Sequence, residues 1–154
     1  MKTFTTRLAA AAVGLVAAAS LAAPALAAGT SGSGAGSLTA HGRGTAQIKG
    51  DVDAMGITGR GVLVVTDLAG DAKVVVTGKG VAKVSGNTRT YAGFDGKAVI
   101  TGSNVIVRLV GSNVDFAVRG DGTFLLKGSG TYDTNPKAAG GEGTWSISGK
   151  SGEF

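Results

Sequence analysis

Residues 102–120 read Gly102-Ser103-Asn104-Val105-Ile106-Val107-Arg108-Leu109-Val110-Gly111-Ser112-Asn113-Val114-Asp115-Phe116-Ala117-Val118-Arg119-Gly120. The tetrapeptide Gly-Ser-Asn-Val occurs twice, nine residues apart, and each copy opens a run rich in β-branched and aromatic residues. In the second run Val114, Phe116 and Val118 alternate with Asp115, Ala117 and Arg119, the period of two that marks a strand buried on one face. The first run is apolar on both faces over most of its length, as expected of a strand covered on both sides. Outside the N-terminal segment no stretch carries the i, i+3, i+4 spacing of an amphipathic helix.

Working outward, Val62–Val65, Val74–Val76 and Phe124/Leu126 repeat the same pattern between glycines. Turn glycines at 42, 59, 78, 96, 111 and 128 are separated by 17, 19, 18, 15 and 17 residues. Two architectures share this rhythm. One is an all-β fold of short antiparallel strands with glycine turns, closed into a sandwich or small barrel, with Asp95-Gly96 and Asp121-Gly122 as type I′ hairpin turns. The other is a β-solenoid with coils of about 17 residues. The Asp-Gly pairs and uneven intervals favour the antiparallel form, which predicts that 104–110 and 113–119 pair as a hairpin across Gly111-Ser112. A solenoid predicts instead that residue i stacks in parallel on roughly i+17.

The N-terminus reads as an export signal. Lys2 and Arg7 precede an Ala-, Val- and Leu-rich run over 8–21, and Pro24 precedes the small-residue triplet Ala25-Leu26-Ala27. This order predicts a signal peptide over 1–27 and an exported, periplasmic or extracellular product. Residues 28–41 read as a flexible Gly/Ser-rich leader, and 42–154 as a single β domain. No cysteine occurs in the chain, so no disulfide braces the fold. After signal removal no run could span a bilayer as a helix, and the chain keeps 13 basic against 10 acidic residues. Those charges are scattered singly, without the clustered Lys/Arg and interleaved aromatics of a nucleic-acid interface.

The chemistry-bearing residues are few. Covalent acyl chemistry needs a base beside its nucleophile; here there is no cysteine and one histidine, His41, placed ahead of the strands. No catalytic residue, metal set or cofactor is expected. The remaining candidates are carboxylates. Asp51 and Asp53 share a face if that stretch is extended, and Asp67 and Asp71 flank a turn at Gly70. They would serve the alternative reading, a carboxylate-dependent carbohydrate-active enzyme or a calcium-binding adhesin-like domain. A ligand-binding surface is best placed at Arg89 and Tyr91, where an aromatic stands beside hydrogen-bond donors, as sugar stacking requires.

The segment Gly93-Phe94-Asp95-Gly96, the two Gly-Ser-Asn-Val copies and Gly128-Ser129-Gly130-Thr131-Tyr132 together resemble small exported glycine-rich bacterial β proteins with no assigned activity. The Gly-x-Gly-rich first half is loosely similar to the head domains of autotransporter adhesins. This resemblance implies no functional residues. With the export signal, it leads to the expectation of a non-enzymatic structural or binding module of the bacterial envelope that contacts surface polysaccharide.

Overall fold

The computed structural model describes residues 36–135 and 141–154. Five strands, β1 (Gly36–Asp67), β2 (Lys73–Ser85), β3 (Thr88–Asn135), β4 (Gly143–Thr144) and β5 (Lys150–Glu153), pair antiparallel in one sheet. No helix occurs among the described residues. The antiparallel all-β expectation therefore holds. The predicted signal peptide and residues 28–35 of the leader lie outside the described residues. The rest of that leader, 36–41, belongs instead to β1, with Leu38 and Ala40 buried.

β1 is 32 residues long and β3 is 48. A straight 32-residue strand would span about 105 Å, several times the radius of a domain this size, so both strands must wind. The register shows how. Ile48 lies between Val107 and Phe124, which are 17 positions apart in β3, and Val105 lies between Gly50 and Asp67, 17 apart in β1. β1 and β3 thus form a two-stranded antiparallel ribbon rolled into a flattened helix, each coil of one strand separated from its next coil by the partner.

The two predicted architectures each capture part of this. The 17-residue period is the coil, but neighbours across the sheet run antiparallel. The hairpin across Gly111-Ser112 does not form: Val107 pairs with Ile48 and Val65, whereas Phe116 pairs with Ala40 and Ile57. Asp95-Gly96 and Asp121-Gly122 are likewise not hairpin turns, because both lie inside β3, paired with Lys79-Gly78 and with Asp51-Gly50. The two-residue hairpin turn is Gly86-Asn87 between β2 and β3, with Gly86 at φ +58°.

The nine-residue repeat marks half a coil. Asn104 and Asn113 adopt φ +47° and +51°, and at each copy the register against β1 slips by one residue. The two copies form β-bulges at opposite edges of the flattened coil, where the strand bends from one face to the other. Asn suits this position because its short polar side chain tolerates the left-handed region.

Glycine columns line the corners. Gly61, Gly111, Gly44 and Gly128 are successive partners across the sheet. A methyl group on Gly111 would run into the Arg60 carbonyl oxygen, and one on Gly44 into that of Lys127. Backbones approach so closely at the bend that no side chain fits between them.

Between the corners, alternation sends one set of side chains inward. The rows Ile100–Met55–Val118–Leu38 and Ala98–Ile57–Phe116–Ala40–Tyr132 cover one face. Leu63–Leu109–Ala46–Leu126 and Val65–Val107–Ile48–Phe124 cover the other, and all belong to one hydrophobic core. The end of the coil beside β4 and β5 is closed by Trp145 and Phe154, both 5% exposed. Trp145 Nε1 donates to the Thr131 carbonyl at 3.1 Å, and Phe154 exchanges backbone hydrogen bonds with Gly122. Trp145 packs into the core, whereas Ile147, two residues on, is 88% exposed.

Candidate functional site

A concavity of about 520 Å³ lies on the outer surface of the sheet where β1, β3 and β4 run side by side. Strand alternation explains its lining. Leu38 and Ala40 point into the core, so Thr39 and His41 point out. Val114 and Phe116 point in and Asp115 out, while Tyr132 and Thr134 point in and Thr131 and Asp133 out. The winding then places Asp115, His41, Thr131 and Thr144 in one row across adjacent rungs, and Glu142 completes the rim.

His41 Nδ1 stands 3.6 Å from Asp115 Oδ2, and both side chains are mostly exposed. That separation leaves a solvated pair rather than a tight hydrogen bond, and an exposed pair contributes little to stability. Three acids, Asp115, Asp133 and Glu142, face one histidine, so the concavity is acidic and rich in hydroxyls. Beneath it Tyr132 packs against Phe124 with ring centroids 5.2 Å apart.

The candidate carboxylates are placed differently. Asp67 accepts the Gly70 amide at 2.7 Å and the Ala72 amide at 3.0 Å, closing the bend from β1 into β2. Asp71 accepts the Ser103 amide at 2.9 Å and its hydroxyl at 2.8 Å, and these bonds to the charged form hold its carboxyl below the usual value of 3.8. Asp51 accepts the Asn104 amide at 2.7 Å and thereby pins the first bulge. Asp53 is exposed at the same edge. Each of the three hydrogen-bonded acids serves a corner or bend of the winding, and among the described residues no three His, Asp or Glu side chains converge on a common point.

Arg89 and Tyr91 are brought together, on alternate positions of β3. Their partners across the sheet are the core residues Val65 and Leu63, so both stand in inward-facing rows, partly buried. Tyr91 packs against the core at the end of the coil next to β2. Its position thus combines the two roles an aromatic can take there, packing on one side and access from the open end on the other.

The concavity residues Asp115, Thr131, Asp133 and Glu142 escaped the reading by sequence. Alternation in 114–118 already turned Asp115 outward, but its meeting with His41 depends on the coil period and on β1 beginning at Gly36. No family model matches the chain, and no match is found among curated proteins or solved structures.

Proposed function

We propose that the chain is a non-enzymatic, exported module of the bacterial envelope that binds polysaccharide at the His41–Asp115 concavity. The observation that carries this reading is the lining itself: threonine hydroxyls, carboxylates and an imidazole spread over a sheet face in an open depression. Such a surface suits a hydroxyl-rich polymer held by many modest hydrogen bonds, each of about 0.5–1.5 kcal/mol. The excess of carboxylates favours neutral or amino sugars over phosphate- or uronate-bearing polymers, because like charges across an interface repel. The signal-peptide pattern over 1–27 supports the envelope location.

The reading is tested by retention of the protein on immobilised neutral, amino-sugar and anionic glycans. Retention by neutral or amino-sugar polymers, lost in a His41→Ala/Asp115→Asn variant with an unchanged melting temperature, is expected. Retention by none of them, or retention indifferent to both substitutions, would overturn it.

A further inference from the structure

The two ends of the wound sheet differ. One is closed by Trp145 and Phe154; at the other, among the described residues, nothing pairs with the outer edge of β2. Exposed apolar side chains gather at this second end. Val75, Val81 and Val84 of β2 are 61%, 74% and 67% exposed, and Val99 and Val62 lie in the adjoining rungs. Val74, Val76, Ala82 and Val84 continue the inward-facing rows of Ile100, Ala98, Leu63 and Val65. Their inner faces are therefore an unfinished core.

Any strand that continues the winding must also satisfy the corner. Within the molecule the bend at Gly42-Arg43-Gly44 is met by Gly128-Ser129-Gly130, Gly42 opposite Gly130 and Gly44 opposite Gly128, with no slip in register. β2 carries the same motif, Gly78-Lys79-Gly80, at the centre of its 13 residues. Its inner side is occupied by Asp95-Gly96 and its outer side is unpaired among the described residues. On that inner side Phe94-Asp95-Gly96 meets the motif with a register slip after Lys79, whereas a strand that matches the bend without a slip, as at Gly42–Gly44, carries Gly-x-Gly.

We propose that the occupant is a second copy of this chain, its β2 paired antiparallel with the first around a two-fold axis at Lys79. In this register Gly78 of each copy faces Gly80 of the other, as at the Gly42–Gly44 bend. Val74 faces Val84 and Val76 faces Ala82, so inward apolar positions meet inward apolar positions and the core runs through both copies. Lys73 faces Ser85 and Lys83 faces Val75, so neither lysine stands directly opposite another, and Lys73 lies diagonal to Lys83 of the other copy with both side chains on the solvent face. The two Lys79 side chains meet at the axis, and each has Asp95 opposite it on its other side.

The size of the contact sets its strength. Thirteen residues at about 3.4 Å each give a strip about 44 Å long, and with a sheet-to-sheet thickness of about 10 Å this is about 440 Å² per copy. A standard stable interface buries about 800 Å² per partner, so this contact is of the small, transient class and the dimer is reversible, to be followed from about 1 to about 1,000 μM chain.

Sedimentation equilibrium of the protein and of three variants tests the proposal. The protein should pass from monomer to dimer over that range, and Val84→Asp, a change at a site exposed in the monomer, should abolish dimerisation without lowering the melting temperature. Lys79→Cys should form an intermolecular disulfide under mild oxidation at least tenfold more than Val75→Cys. Directly opposed residues have Cα atoms about 4.5–5.5 Å apart, within disulfide reach, whereas two copies of residue 75 would lie roughly 27 Å apart. A monomer at all concentrations, equal cross-linking of the two cysteine variants, or a dimer indifferent to Val84→Asp would each overturn it. A monomer whose β2 amides resist hydrogen exchange would overturn it in favour of a segment of the same chain outside the described residues.

Discussion

Two glycines offer opposite tests of the wound-ribbon architecture. At Gly111 a Cβ would strike the Arg60 carbonyl and lie 3.0 Å from Gly61 Cα, and neither group can rotate away because both are backbone. At Gly56, paired with Val99 and Ala117, a Cβ would meet nothing within 4 Å. Neither glycine has a positive φ, so the contrast isolates backbone approach from backbone conformation. We predict that Gly111→Ala separates two rungs at the corner and costs about 3 kcal/mol, the upper part of the range for overpacking. For a domain of this size that is a fall of about 10–15 °C in melting temperature. Gly56→Ala should stabilise by about 0.4–1 kcal/mol, since it removes freedom from the unfolded chain at no steric cost. Far-UV circular dichroism melts, with urea titrations to confirm a common m-value, measure both. A Gly111→Ala protein as stable as its parent, or two shifts of the same sign, would refute the close approach at the corners.

Three further predictions concern the cap, an acid and the open end. Trp145→Ala should cost about 3–5 kcal/mol by emptying the closed end of the core, and the native tryptophan emission, from the sole Trp of the chain, should be blue-shifted until the protein unfolds. Because Ser103 lowers the Asp71 carboxyl in the folded state, its contribution is present above the unfolded value of 3.8 and is lost as pH falls below that and through the folded value. The pH profile of stability of Asp71→Asn should therefore be flatter below about pH 4 than that of the parent; superimposable profiles would count against the bond. Tyr91→Ala should lower stability by about 1–3 kcal/mol, less than a fully buried aromatic, and leave glycan retention intact if the concavity is the binding surface. Loss of retention at an unchanged melting temperature would move the site to Arg89 and Tyr91.

Local chemistry carried much of the fold into plain view. The inward set Val114, Phe116 and Val118 followed from period-two alternation, and the roughly 17-residue beat of glycines, which served only the disfavoured solenoid alternative, matched the period of the coil. What stayed hidden was partnership. A meander, a parallel solenoid and a rolled ribbon present the same alternation and the same turn residues, and they differ only in which distant strand meets which. Ile48 with Val107 and Phe124 is a matter of residues some 60 and 76 positions away, on which no local propensity reports. Gly-Ser-Asn suggested a reversal because glycine and asparagine favour turns; the same tolerance of positive φ serves a bulge, where the strand bends and continues. The site was obscured for the same reason. His41 looked like the tail of a Gly/Ser-rich leader, because nothing in Gly36–His41 except Thr39 has strong strand character; tertiary pairing with 115–120 and 130–135 overrides the composition.

The rolled ribbon also governs when the molecule can form. Every strand partner of β1 lies at residue 88 or later, and β1 runs between successive coils of β3. It cannot be inserted after β3 has closed, so the two strands must zip together first and roll up as a pair. The β2–β3 hairpin at Gly86-Asn87 is the local nucleus from which zipping can start, and the remaining contacts are long-range, which places folding in the millisecond-to-second regime of all-β domains. A chain emerging N-terminus first would hold β1 without a strand partner until residues from 88 onward had appeared.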